Sequence, residues 1–357
     1  MIEAFHQQNP YGLDRMEKGR MLTEELKELT RFHQEHCPEY ANFLGMVGYD
    51  ANKVHVPADI PFFPVRLFKQ FDLLSIDRRD VFKTMTSSGT TGQQVSKIFV
   101  DRETAMLQQK VMLRILGDFW GKGRLPMLVV DTPAVLKDRK SFTARGAAIM
   151  GLQFAAREMV FVLNDDMTLN VERLRAFIEQ YRGKRFVIFG FTFLVWQHFY
   201  QALVRLGEAC DLSDGFLMTG GGWKKLESEA VSQEEFKRRL EESCGICHFL
   251  DHYGMVEQTG AIYAECGHLH ASIYSDVIIR NPRNWSPCPV GQRGIVQVLS
   301  TLPRSYPGHA LLTEDEGVVL GEDDCPCGRK GKYIQILGRM KSAELRGCSD
   351  TYAAEFG

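Results

Sequence analysis

The sequence predicts an α/β protein: a largely parallel sheet with covering helices, followed by a smaller β-rich subdomain. Two observations carry this. Apolar strand-like runs at 125–130, 159–163, 186–189, 216–218 and 246–250 alternate with helical patterns, which is βαβ alternation. After Glu257 the pattern changes to apolar runs at 273–279, 294–299, 310–320 and 333–337, separated by Pro, Gly and Asp turns.

Taken in chain order, residues 21–36 carry Leu22, Leu26, Leu29 and Phe32 at helical spacing among charges, an amphipathic helix packed on the body. A second helix is expected over 171–181, closed by Gly183, and a third opens with the capping pair Ser232 and Glu235. The segment 191–196 is apolar enough to line a pocket for an acyl chain, and equally suits a buried helix start. These elements suggest four segments: a helical part over 1–80, an α/β core over 81–260, a β-rich part over 261–338, and a hinge and tail over 339–357. With 357 residues the chain is long enough for one large domain with subdomains or for two.

Forty-three basic against 45 acidic residues give a net charge of −2, so there is no basic footprint for nucleic acid. No uninterrupted apolar window reaches the length of a membrane helix, and the first residues lack the layout of a secretory signal, so a cytoplasmic location is expected. Nine cysteines, an odd number, fit reduced thiols or metal ligands better than a disulfide framework.

The residues with the most chemical content are Thr86, Ser87, Ser88, Gly89, Thr90, Thr91 and Gly92: five hydroxyls and two glycines in seven positions. Glycine lets backbone approach an anion, and amides and hydroxyls donate to phosphate oxygens. The Gly-Lys-Ser/Thr ending of a Walker loop is absent, and taken alone the segment also suits a flexible linker. Gly220, Gly221 and Gly222 follow an apolar run and offer bare backbone to a flat ligand. Tyr253, Gly254 and Glu257 follow another, with an aromatic face and a carboxylate for a metal ion. Asp315 suits ribose hydroxyls, and Arg339 suits phosphate. The glycine run and the Tyr253 turn fall just after expected strands, where open α/β sheets bind ligands.

In this order and at these separations, the motifs resemble the adenylate-forming superfamily. The chain is most similar to the acyl-protein synthetase family of bacterial luminescence, the LuxE type. Phe62-Phe63-Pro64-Val65-Arg66-Leu67-Phe68-Lys69, the run from Ser87 to Lys97, Gly338-Arg339-Met340-Lys341 and Arg346-Gly347-Cys348-Ser349-Asp350 carry the likeness across essentially the whole chain. It implies the N-terminal-domain fold of adenylate-forming enzymes, with ATP and Mg2+ as cofactors. A fatty acid would attack the α-phosphate to give acyl-AMP and pyrophosphate. The acyl group would then pass to Cys348 and on to a partner resembling acyl-CoA reductases. Ser87, Ser88, Gly89, Thr90, Thr91 and Gly92 would hold phosphates, and Glu257 would hold Mg2+. The three glycines and Tyr253 would sandwich adenine; Asp315 would take the ribose and Arg339 the sugar-phosphate. An extended chain from Arg339 to Cys348 spans up to roughly 30 Å, enough for the thiol to swing.

Cys266, His268, His270, Cys325 and Cys327 supply three thiols and two imidazoles, enough for a closed structural zinc site. The set chosen is Cys266, His270, Cys325 and Cys327; related positions occur in phenylacetate-CoA-ligase-like members of the superfamily. Unligated cysteines in turns are the other reading, and Cys244 with Cys247 form a weaker pair at the end of a helix. The chain also departs from its relatives. Sixteen residues follow Lys341, so the swinging C-terminal domain and its adenylation lysine are expected to be missing. Lys341, Lys97 or a partner group would have to stand in for that lysine. Two alternatives remain: a truncated acyl- or aryl-CoA ligase, and a non-catalytic nucleotide-binding subunit.

Overall fold

A computed structural model describes residues 8–87, 94–136, 144–221, 223, 230–265 and 267–340. Helix α1 (Arg15–His36) starts six residues before the expected pattern because the Asp14 carboxylate accepts from the N–H groups of Met16 and Glu17. It buries Leu22, Leu26 and Leu29 on one face. Helix α2 (Pro38–Met46) follows with proline in its first turn. Next come β1 (Phe63–Pro64), the antiparallel hairpin of β2 (Lys83–Thr86) and β3 (Lys97–Val100), and helix α3 (Arg102–Trp120), for which the sequence reading made no provision.

The described chain divides into two units, one made of 8–87, 94–115 and 253–340, the other of 116–252. The segments expected over 1–80 and 261–338 thus share the first unit, and the segment 81–260 contributes to both.

The second unit is the parallel sheet. It contains β4 (Leu125–Val130), α4 (Ala144–Leu152), β5 (Ala156–Phe161), α5 (Val171–Tyr181), β6 (Phe186–Phe191), α6 (Gln201–Leu206), β7 (Gly215–Gly220), α7 (Gln233–Cys244) and β8 (His248–Phe249). The strands lie in the order β5-β4-β6-β7-β8, every pair parallel. Central β6 is buried along its whole length, as a strand covered on both faces must be. Edge strand β5 exposes Arg157 and Glu158, so its apolar half alone was visible in the sequence. The run at 191–196 is a buried helix start: Phe193, Leu194 and Val195 have no exposed surface, and a π-helical turn over Val195–Tyr200 follows. Helix α7 opens as expected, with the Ser232 hydroxyl accepting from the Glu235 N–H at 3.1 Å.

The first unit is completed by β9 (His252–Tyr253), β10 (Tyr263–Glu265), β11 (Leu269–His270), β12 (Ser275–Arg280), β13 (Gly294–Ser300), β14 (Ala310–Glu322) and β15 (Lys332–Arg339). Their order is β12-β13-β14-β15-β11-β10-β9, with β1 laid parallel on β14 so that Phe63 faces Leu311. The curled sheet packs Tyr40, Phe63, Phe68, Tyr263, Val298 and Tyr306 into one core. A second cluster seats Leu22 and Leu26 of α1 against Ile278 and Leu299. Burying each such side chain is worth roughly 1.5–3 kcal/mol, which fixes α1 to the sheet. Among the described residues, no helix is long and apolar enough to cross a membrane.

Candidate functional site

The β2–β3 hairpin closes the base of the hydroxyl-rich loop. The Ser87 N–H donates to the Ser96 carbonyl at 3.1 Å, and the Ser96 N–H returns a bond to the Ser87 hydroxyl at 2.9 Å. Ser96 is itself buried, and its side chain favours the charged form of the Glu257 carboxylate. Glu257 sits on a tight turn, Val256–Gln258, whose next residue, Gln258, donates its amide to the carbonyls of Gly308 at 2.8 Å and Val298 at 3.2 Å. Those two bonds hold the carboxylate in place. Burial pushes its pKa up, while Ser96 and the Arg339 charge act the other way. A buried carboxylate under the influence of the Arg339 charge has the donor type that a divalent ion needs.

The same unit gathers the expected ribose and phosphate groups. The Tyr253 hydroxyl donates to Asp315 Oδ2 at 2.7 Å, and Arg339 Nε lies 3.8 Å from Asp315 Oδ1, the two residues facing each other across β14 and β15. Thr313 fixes the turn of the chain here: its hydroxyl donates to the Val296 carbonyl at 2.8 Å and accepts from the Asp315 N–H at 3.1 Å. Burial, then the Asp315 charge, drive the Tyr253 pKa well above its ordinary value, so the phenol stays protonated and donating. Neighbouring Glu314 binds Arg66 through its Nε at 3.2 Å and Nη2 at 2.8 Å. That contact gives the Phe62–Lys69 motif a structural role. Gly254 follows Tyr253, and a Cβ there would meet Ile262 at 3.4 Å, an ordinary contact.

In the parallel unit, Gly220 ends β7 opposite Phe191, at the carboxyl edge of the sheet. Gly221 follows with φ of +67°, and its carbonyl accepts from the Thr192 hydroxyl at 3.0 Å. Nearby, Asp251 accepts from Thr219 at 2.6 Å and pairs with Lys237 at 3.6 Å.

His270, Cys325 and Cys327 come together on the β-rich sheet, with one ligand atom from each all within 4.8 Å of one another. Cys327 Sγ is 3.5 Å from His270 Nε2, and Cys325 Sγ is 4.0 Å from Nδ1 of His268. The sequence set left His268 out. His268 lies one residue before β11, two positions from His270. Burial lowers the His270 pKa to about 4, keeping the imidazole neutral. Two thiols and two imidazoles at this spacing suit zinc in donor type and number. Of the expected site residues, Ser88, Gly89, Thr90, Thr91, Gly92, Gly222, Cys266, Lys341 and Cys348 lie outside the described residues.

The fold is that of the adenylate-forming ligases. Solved structures of 2-hydroxyisobutyryl-CoA ligase match it with a TM-score of 0.70 in an open conformation, at 16% identity, over 94% of this chain and 78% of that one. The thioesterification state of that ligase gives 0.71 at 17% identity, over 95% and 72%. Within that class, the chain belongs to the acyl-protein synthetase family, LuxE, whose model matches residues 3–357. Among curated proteins it is 23% identical over 355 residues to the long-chain-fatty-acid–luciferin-component ligase of Vibrio harveyi, spanning 96% of this chain and 90% of that protein. It is 21% identical to the protein of the same name in Aliivibrio fischeri, over 91% and 85%.

Proposed function

We propose that this protein activates a long-chain fatty acid with ATP and then carries the acyl group as a thioester on Cys348 for a partner acyl reductase. The observation that bears most weight is the run of groups in the first unit. Ser96, at the base of the hydroxyl-rich loop, and Arg339 both act on the Glu257 charge, and Arg339 faces Asp315, which accepts from the Tyr253 hydroxyl. Phosphate, metal and ribose partners thus follow one another in the order a nucleotide presents them. The names of the Vibrio and Aliivibrio relatives support a fatty acid as the substrate.

In this reading the loop from Ser87 to Gly92 holds the phosphates. Glu257 binds Mg2+, which offsets the charge developing on pyrophosphate. Asp315 accepts from the ribose hydroxyls while Tyr253 keeps its carboxylate oriented, and Arg339 neutralises phosphate charge. Tyr253 offers its aromatic face to the adenine. The fatty carboxylate forms a bond to the α-phosphorus as the bond to pyrophosphate breaks. The Cys348 thiolate then attacks the acyl carbon, AMP leaves with the carboxylate-derived oxygen, and the thiol proton goes to solvent. Lys341 stands beside Arg339 in sequence as the cation for adenylation. The zinc cluster of His270, Cys325 and Cys327, with Cys266 or His268 as fourth ligand, has a structural role.

Intact-mass spectrometry after incubation with ATP, Mg2+ and a long-chain fatty acid tests the proposal. A hydroxylamine-labile acyl adduct on the wild type, absent from Cys348→Ser, is the expected result. Pyrophosphate release only on addition of CoA, with no adduct, would replace it with a CoA ligase. ATP binding without pyrophosphate release would leave a nucleotide-binding subunit.

A further inference from the structure

The amino-terminal edge of the parallel sheet carries a charge pattern that the acyl chemistry does not use. Three loops enter β5, β4 and β6 side by side, and the register sets Leu125 opposite Ala156 and Met127 opposite Val187. The Leu125 N–H donates to the Ala155 carbonyl at 3.2 Å, so Arg124 and Phe154 come to the same edge. Lys122 and Arg124 stand in the loop before β4, Arg157 at the start of β5, and Lys184 and Arg185 in the loop before β6, all of them exposed. A Cβ on Gly121 would lie 3.3 Å from Arg185 Nη1, so the loops before β4 and β6 are closely apposed.

Among the described residues, none of these five side chains has a hydrogen bond or an ion pair; Arg185 alone leans on a ring, 5.9 Å from the centre of Phe216. The acids close by are mostly engaged. Glu179 pairs with Arg182 at 2.6 Å, and Asp214 accepts from the Gly183 N–H at 3.0 Å, while Glu158 is exposed beside Arg157. Two apolar side chains flank the cations: Phe154, 47% exposed in the turn before β5, and Met150, 38% exposed in the last turn of α4, which leads into that turn. A chain of net charge −2 thus concentrates unpaired cations and apolar surface on one edge.

We propose that this edge docks on an anionic lipid bilayer. The cations are attracted to headgroup phosphates, and Phe154 and Met150 enter the boundary between headgroups and acyl chains. Charge complementarity calls for an anionic surface, and the form of the patch calls for a fluid one. A protein interface centres on side chains packed in fixed geometry, whereas these cations come from three loops, are unpaired, and have stems long enough to follow mobile headgroups. Gly220 ends β7 at the opposite edge of the same sheet, so docking leaves the carboxyl edge open. None of the groups assigned to acyl transfer takes part.

The test is co-sedimentation of the full chain with vesicles of phosphatidylcholine and phosphatidylglycerol in equal parts, against vesicles of phosphatidylcholine alone. Binding to the mixed vesicles, absent with the neutral ones and weakened as salt is raised, is the expected result. Each cation near an anionic surface is worth roughly 5-fold in partition, so Lys122→Gln combined with Arg124→Gln should weaken binding roughly 25-fold. Phe154→Ser should weaken it roughly 5-fold at every salt concentration, because its share is apolar. All three positions are exposed, so the variants should keep the wild-type melting curve and, without vesicles, the wild-type rate of adenylation whatever that rate is. No binding to mixed vesicles at low salt, or equal binding by the neutralised variant, would overturn the proposal. Binding to polyglutamate but not to vesicles would make the edge a docking face for an acidic protein, and would overturn it as well.

Discussion

The Tyr253 hydroxyl donates to Asp315 Oδ2 at 2.7 Å, joining β9 to the long strand β14 within the first unit. Oδ1 of the same carboxylate faces Arg339 at 3.8 Å. One side chain therefore links an aromatic group and a cation that the sequence separates by 86 positions, and both of its oxygens are oriented before any nucleotide arrives.

Asp315→Asn should weaken ATP binding, since a neutral amide is a poorer acceptor and loses the pull on Arg339. Charge-assisted bonds are worth about 1.5–3 kcal/mol, so KM for ATP in pyrophosphate exchange should rise roughly 10- to 100-fold. Tyr253→Phe removes the orienting bond alone and should cost roughly 3- to 10-fold by the same scale. Equal effects from the two variants would mean that Asp315 does not touch the nucleotide.

Glu257→Gln separates stability from activity. Burial raises the Glu257 pKa, so at neutral pH the folded protein ionises this carboxylate against a cost that the unfolded chain does not bear. That cost operates above the unfolded-state pKa and fades as pH falls and the group protonates. Glutamine removes it, so the variant should melt at the same temperature or higher at pH 7 while losing roughly 100-fold in adenylation at fixed Mg2+. A variant that is both inactive and less stable would make Glu257 a structural residue.

Much of this was legible because burial on both faces leaves a simple signature. β4, β6 and β7 are apolar almost end to end, and the glycines and the Tyr-Gly-x-x-Glu turn stand just beyond strands. What pairs at long range was not legible. Nothing in the local sequence says that Gln258 donates to Gly308, that Arg66 belongs to Glu314, or that Phe63 lies against Leu311. Helix α3 escaped notice although it buries Val111, Ile115, Leu116 and Trp120, because those positions serve two units in turn and give no single clean face.

Acid should destabilise the first unit through a buried histidine pair. His33 and His309 stack at 5.1 Å with neither exposed. His33 contacts the Pro303 carbonyl and the Ser75 hydroxyl, and His309 the Thr30 hydroxyl. Burial lowers the His33 pKa to about 3, and that of His309 well below its ordinary 6.5. The unfolded chain takes up protons first, so the stability these residues give is complete above pH 6.5 and is lost as pH falls towards about 3. Each group should contribute up to ~1.4 kcal/mol per pH unit to the urea-unfolding free energy in that window. His309→Gln should remove one group's share of the slope; an unchanged slope would show that His309 is not held neutral.

The cluster of His270, Cys325 and Cys327 makes the most demanding prediction, because its neighbours are also the anchor of the N-terminal helix. Ala271 follows His270, and its carbonyl accepts from the buried Lys18 ammonium of α1 at 3.1 Å. Lys18 also pairs with Asp276 at 3.7 Å, which in turn binds Lys332 at 2.7 Å, and burial lowers its pKa. Beyond Cys327, the Lys330 N–H donates to the Tyr11 carbonyl at 3.1 Å and the Arg329 guanidinium lies over the Tyr11 ring. If zinc fixes His270, Cys325 and Cys327, it fixes the strands on which Lys18 and Tyr11 rest. The purified protein should then carry about one zinc per chain by elemental analysis, a count that follows from a four-ligand site. Removing it with a chelator, or changing Cys327→Ser, should lower the melting temperature by roughly 5–10 °C and open residues 8–18 to protease before the rest of the chain. Metal-free protein with full thermal stability and an intact N-terminal segment would mean that the cysteines and histidines meet here without a shared ion.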